Sequence, residues 1–562
     1  MQMHLTTRLA STLFAASLGL NSAIFAAPPA PDASEATKPA SVPTSLEGDP
    51  IREMQEASME SKEVSFGHWG TAPSRYSAWT SHSNRLIPVY TFGMTMDKLR
   101  NEGSLYQDEE RLEKLFGAVP ENTLNPDAKY FDQTDVYRLQ EQAVKAGKKK
   151  VILIVFDGMD WQTTRAAAIY NKGSVSYKEG RGTGLFWQDY PGTETDFGFF
   201  VTSPLRGGVK TDVNGQIVLG GTGEITGGYN PKLGGDTPWA PAASRDYLLG
   251  QDRTQPHTVT DSASSATSLT SGVKTYNGSI NFKADSSHAE PIAHKLQREN
   301  GFAIGVVTSV PVSHATPGAA YAHNVTRNDY QDISRDLLGL PSSSHRTDPL
   351  PGVDVLLGGG WGEIKAKDSN QGENFVPGNR IIADGDLDRV AEKGAVVVQR
   401  TPGKKGNQIL QDAAETARKE RRRLVGFFGV GGGHLPFQTA DKNYNPTVDV
   451  KGAEKYSAAD IEENPNLAEL ATAALDVLNE DEEGFWLMVE SGDVDWANHA
   501  NNLDNSIGAV LSGDEAFAAI AKWVEAHDAW DETAIILTAD HGHYLNLTDA
   551  KKIADANPSA DK

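Results

Sequence analysis

Cysteine is absent from all 562 residues. No disulfide and no sulfur-linked lipid is therefore available. Positive charge is scarce: 52 Lys and Arg against 75 Asp and Glu leave a net charge of -23. That balance argues against a nucleic-acid groove or an anionic membrane surface as partner. It would also repel a phosphate ester, so any phosphate site must carry its own positive charge. Long apolar runs are missing too. "LASTLFAASLGL" (9–20) is too short and interrupted to cross a bilayer comfortably. With Arg8 before it and "AIFAA" (23–27) after it, the stretch reads as a secretory signal over residues 1–27. A periplasmic or secreted protein with no membrane span in the mature chain is expected. Residues 28–60, rich at first in Pro, Ala, Ser and Thr, read as a flexible linker. Residues 61–562 are expected to form one domain. No internal repeat is visible.

Several apolar runs end in polar residues. "VILIVFDG" (151–158) closes on Asp157, "GFWLMVESG" (484–492) contains Glu490, and "TAIILTADH" (533–541) ends in Asp540 and His541. "GFAIGVVTS" (301–309) and "VDVLLGGG" (353–360) look alike. Helix-spaced apolar residues fill 466–480 and 513–527, with further helical stretches near 106–117 and 134–147. Strands alternating with helices predict an α/β fold, a large and mostly parallel central sheet with helices on both faces. Ligands gather at the carboxyl ends of such strands. The Gly-, Pro- and aromatic-rich regions 173–256 and 340–460 read as insertions decorating the site mouth.

"VTDSASSATSLTSGVKT" (259–275) places Ser262 where a helix would begin. It is a helix cap or, since a helix N-terminus favours an anion, a nucleophile beside a phosphate. No His-Asp relay adjoins it, so a metal is the expected activator. In "ESGDVDWANHANN" (490–502), Asp495 and His499 share one face if helical, and that pair suits zinc.

These segments resemble the alkaline phosphatase family. "VTDSASSAT" matches the family's serine signature, and the likeness continues through "SHATPGAAYAHNVTR" (313–327), "GHLPF" (433–437), the 485–502 block and "TADHGH". The resemblance implies two Zn2+ and one Mg2+, and a phosphoserine formed on Ser262 during hydrolysis of small phosphate monoesters. It assigns Asp157, Asp540 and His541 to one zinc, and Asp157, Thr316 and Glu490 to magnesium. Arg327 becomes the phosphate-binding arginine, and Asp495 and His499 hold the other zinc. His314, Trp496 and His543 are implied as neighbours that tune the ligands. A homodimer is possible by the same likeness.

The family's third ligand to that last zinc is a histidine downstream, in a motif resembling H-[ST]-x-x-x-[VI]-P-V-[FY]. No histidine follows His543. "HSNRLIPVY" (82–90) fits the motif instead, which makes His82 the expected ligand and implies a circular permutation; His68 in "GHWG" is the competitor. Two other functions stay open: a phosphodiesterase or sulfatase-like hydrolase on the same scaffold, and a non-catalytic phosphate- or metal-binding protein.

Overall fold

The computed structural model describes residues 49–557 except 71, 73, 78–81, 207–208, 221–226, 251–258, 366–369 and 447–454. The expected signal and the linker up to residue 48 lie outside the described residues. Ten strands make one sheet. In chain order they are β1 (Ile87–Phe92), β2 (Phe131–Asp132), β3 (Lys150–Phe156), β4 (Thr195–Val201), β5 (Ala303–Pro311), β6 (Val355–Gly359), β7 (Val396–Gln399), β8 (Leu424–Phe427), β9 (Phe485–Ser491) and β10 (Thr533–Ala539). Their order across the sheet is β7-β8-β6-β5-β9-β3-β10-β1-β4-β2.

The block from β7 to β10 is parallel throughout. Only β1 is reversed, antiparallel to both β10 and β4. The central strands β9 and β10 are buried at every position, which is why they read as unbroken apolar runs. Successive strand residues face opposite sides of a sheet. Trp486 donates its indole N–H to Gln140 of the helix Thr134–Lys145 at 2.8 Å. Its neighbour Phe485 meets Trp523 of the helix Leu503–Ala526 edge-on. Helices therefore cover both faces, as expected.

Three expectations need correction. Residues 50–60 are not linker: Pro50–Ser61 is a helix, capped by the Asp49 carboxylate and packed on Leu503–Ala526. The region 173–256 supplies β4, and 340–460 supplies β7 and β8 besides the expected strand β6, so neither is merely decoration. These strands extend the sheet at both ends because pairing with a formed neighbour offsets their weak local pattern.

Candidate metal and phosphate site

Three parallel strands aim their carboxyl ends at one place. Asp157 follows β3, Glu490 lies near the end of β9, and Asp540 follows β10. Asp157, Glu490 and Asp540 are fully buried, and Asp495 is 5% exposed. Gly158 makes the turn after β3 with φ +72°, and a Cβ there would lie 2.8 Å from His543 Cδ2. The turn therefore requires glycine. Its N–H donates to Asp540 Oδ1 at 2.9 Å, as does the His541 N–H at 2.8 Å.

Ser262 opens the helix Ser262–Ser271, which is capped by Asp261. The Ser262 hydroxyl lies 3.4 Å from Asp157 Oδ1 and 3.3 Å from His541 Nε2. His541 Nε2 is in turn 3.2 Å from Asp157 Oδ1 and 3.6 Å from Asp540 Oδ2. Asp495 and His499 do fall on one helix, Asp493–His499, with His499 Nε2 3.4 Å from Asp495 Oδ1. The helix leaves β9 through Gly492, so its first turn is placed by the strand.

His82 is delivered by the chain leading into the reversed strand β1. Because β1 runs against β10, the start of β1 lies beside the carboxyl end of its neighbour. The residues before it, His82 and Ser83, pair with His543 and Gly542. His82 Nδ1–H donates to the Thr260 carbonyl at 2.8 Å, which leaves the Nε2 lone pair facing the site. That Nε2 is 3.1 Å from His499 Nε2 and 3.7 Å from Asp495 Oδ1. Arg85 anchors the segment on Asp160 at 3.3 Å and on Asn546 Oδ1 at 2.6 Å.

Two donor clusters result, with ligand atoms mutually within 4.8 Å: His82, Asp495, His499 and His543, and Asp157, Asp495 and His541. His543 Nε2 sits 2.7 Å from Asp495 Oδ1, close enough to orient that carboxylate. His68 joins neither cluster; it pairs with Asn546 in a two-stranded edge. Arg327 Nη1 is held by Asp261 Oδ2 at 3.1 Å, beside the Ser262 helix. His314 Nε2 is 3.4 Å from Arg327 Nη2, so it lies against the arginine. Trp496 packs edge-on against His314 and His434. Thr308 donates its hydroxyl to Glu490 Oε2. The sequence offered no signal for Thr308, or for the Thr260 carbonyl that orients His82. Asp261 could have been noticed as the residue next to Ser262.

The electrostatics tests whether these donors suit cations. Asp157 Oδ2, Asp540 Oδ2, Glu490 Oε1 and Thr316 Oγ1 are buried without hydrogen-bond partners. Burial, with Asp495 and Glu490 nearby, pushes the Asp157 carboxyl well above its ordinary range. Burial and then Asp157 do the same to Asp540. Glu490 is pushed up to about 8, chiefly by burial, with Asp540 adding to it. Burial opposes the charge on Asp495, but His499, His543 and His541 hold it well below the carboxylate range. Burial, then His541 and His499, holds His82 neutral. A neutral His82 imidazole beside clustered carboxylates with bare oxygens fits divalent cations.

The alkaline phosphatase family model matches residues 233–559. Alkaline phosphatase 3 of Bacillus subtilis (strain 168) is 28% identical over 306 residues, 54% of each chain. Alkaline phosphatase H of Pseudomonas aeruginosa (strain UCBPP-PA14) is 30% identical over 308 residues, 53% of this chain and 60% of the relative. The chain covers about three fifths or less of the length of these relatives. A crystal structure of Thermus thermophilus alkaline phosphatase covers 70% of this chain and 60% of its own at 22% identity, with a TM-score of 0.42. The match to more than half of its residues, on a mostly parallel sheet with the serine signature at a helix start, means that this chain belongs to the alkaline phosphatase family.

Proposed function

We propose that this chain is an exported, metal-dependent phosphomonoesterase that passes through a phosphoserine on Ser262. One observation carries the proposal: the Ser262 hydroxyl sits at a helix N-terminus, against His541 and Asp157, with Arg327 fixed beside it by Asp261. The relatives named as alkaline phosphatases support the same substrate class. The donor set suits two zinc ions, one on His82, Asp495 and His499 and one on Asp157, Asp540 and His541. The oxygen-rich set of Asp157, Thr316 and Glu490 suits magnesium. Bound ions supply Lewis acidity, which lowers the pKa of a ligated hydroxyl and neutralises charge on the reacting oxygens.

The remaining work falls to this chain. Arg327 grips two phosphate oxygens with its planar fork. The helix N-terminus faces the same anion. Ser262 Oγ bonds to phosphorus as the ester P–O bond breaks, and the leaving oxygen departs as an alcohol. Water then cleaves the phosphoserine, restoring the hydroxyl and releasing inorganic phosphate. The test compares p-nitrophenyl phosphate turnover of wild type and Ser262→Ala, with acid-quenched peptide mapping. A loss of at least about a thousandfold, with phosphate found on the Ser262 peptide of wild type, is expected. Full turnover in Ser262→Ala would sink the proposal.

We also infer that residues 82–90 are the permuted counterpart of the family's downstream ligand segment. The approach of His82 to Asp495 and His499, and the reversed β1 that delivers it, support this reading. His82→Ala should lose about one zinc per chain and most turnover, while His68→Ala keeps both. The opposite pattern would make His68 the ligand.

A further inference from the structure

Away from Ser262, three histidines from separate segments converge. His288 lies in the loop after Phe282, His323 lies four residues before Arg327, and His345 lies in the loop after Leu340. Each offers a ring nitrogen within 4.8 Å of the other two. His323 is buried, and its Nε2–H donates to the Ala289 carbonyl at 3.0 Å. That bond fixes the tautomer and leaves a lone pair on Nδ1. Nδ1 points at His345 Nε2, 3.0 Å away. Two nitrogens on one tetrahedral zinc sit about 3.3 Å apart, given Zn–N bonds of about 2.0–2.1 Å. The His288 ring stacks on His323 with centroids 4.2 Å apart.

A second feature points the same way. Asp336 is fully buried, and its Oδ1 makes no hydrogen bond. Its Oδ2 accepts from the His323 backbone N–H at 2.9 Å and lies 4.0 Å from His345 Nε2. No Lys or Arg pairs with it among the described residues. Burial pushes this carboxyl up to about 8, and a bound cation would favour its ionised form.

We propose that His288, His323 and His345, with the Asp336 carboxylate balancing the charge, form an additional site for a divalent transition metal, zinc in the first instance. Three imidazole nitrogens favour zinc, nickel, cobalt or copper over magnesium and calcium. Burial keeps His345 near 4 and lowers His288, and burial with the neighbouring histidines lowers His323, so all three rings are neutral at pH 7. The site would tie the His288 and His345 loops to the segment carrying Arg327. That segment already pairs with the 278–280 stretch, through Ile280 with Asn324 and through the Arg327 N–H to the Gly278 carbonyl at 2.7 Å. In a chain without cysteine, a metal is an available cross-link between such loops.

The test uses the full chain saturated with Zn2+ and then desalted, with zinc counted by mass spectrometry. The double variant His288→Ala/His345→Ala changes only residues that are at least partly exposed. It should carry about one zinc fewer than wild type, and its melting temperature should no longer rise as far on adding zinc. Combined with His82→Ala, the losses should add, since the two sites share no residue. The milder His345→Gln gives the same readout if the double variant folds poorly. Zinc content equal to wild type in both variants would overturn the proposal, as would a loss that does not add to that of His82→Ala.

Discussion

The buried Glu490 makes a specific claim about pH. Its carboxyl is pushed from the usual 4.5 to about 8, mainly by burial. A raised carboxyl favours the folded state while protonated. Its contribution is complete below pH 4.5 and disappears as the pH rises through about 8. The difference corresponds to roughly 5 kcal/mol over the full window, and to roughly 3–4 kcal/mol between pH 5 and pH 8. Neutral histidines elsewhere titrate with the opposite sign, so the test is a difference between proteins. Wild type and Glu490→Gln, both stripped with chelator, would be unfolded in urea at pH 5, 6.5 and 8. Metal-free wild type should lose stability relative to the variant as pH rises, by a few kcal/mol. With magnesium and zinc restored, that relative loss should vanish, because a cation stabilises the ionised carboxylate. Parallel pH curves for the two stripped proteins would refute the argument from buried charge.

Other perturbations address different links. Gly158→Ala forces a left-handed alanine, costing about 1–2 kcal/mol, and sets its Cβ against His543. Lower zinc content and a lower urea midpoint are expected, and wild-type values for both would count against the required turn. Asp261→Asn keeps a helix-capping oxygen but removes the ionic partner of Arg327. Its inhibition constant for inorganic phosphate should rise up to about tenfold, equivalent to about 1.4 kcal/mol; an unchanged constant would show that Asp261 does not position the arginine. Lys274 and Asp132 form a fully buried ion pair at 2.9 Å, so Lys274→Met should cost about 3–5 kcal/mol in urea unfolding. A loss below about 1 kcal/mol would mean that Tyr106 and Thr134, which also donate to Asp132, suffice alone.

What was legible in the sequence was local. An apolar strand followed by an acid signals both burial and the point where the chain leaves the sheet, so Asp157, Glu490 and Asp540 could be placed together before any coordinates. The i, i+4 relation of Asp495 and His499 needed only a helix. Partnerships made through space were harder. Thr308 reaches Glu490 across two paired strands, β5 and β9, and nothing in "GVVTS" marks the threonine. The long helix Leu503–Ala526 begins ten residues before the expected 513, at an Asn502 cap. Gly508 and Gly513 interrupt its apolar period. Gly508 is there because a Cβ would strike the Gln438 carbonyl, a tertiary reason that no local pattern contains. Strands β7 and β8 have four residues each, and their place follows from the neighbour they pair with.

The reversed strand β1 also bears on the order of synthesis. It emerges from the ribosome before either sheet neighbour, and β10 follows some 450 residues later, as the Thr538 hydroxyl bonded to the Pro88 carbonyl measures. Its other neighbour, β4, is available much sooner. A nascent chain can thus pair β1 with β4 while His82 waits beside an empty strand position. Contacts this distant in sequence close slowly and leave edges exposed meanwhile. Closure of the sheet by β10, which brings Asp540, His541 and His543 with it, is then the event that completes the donor cluster. A nascent chain stalled before residue 533 would hold His82 and His499 but neither part of the Asp540–His543 turn.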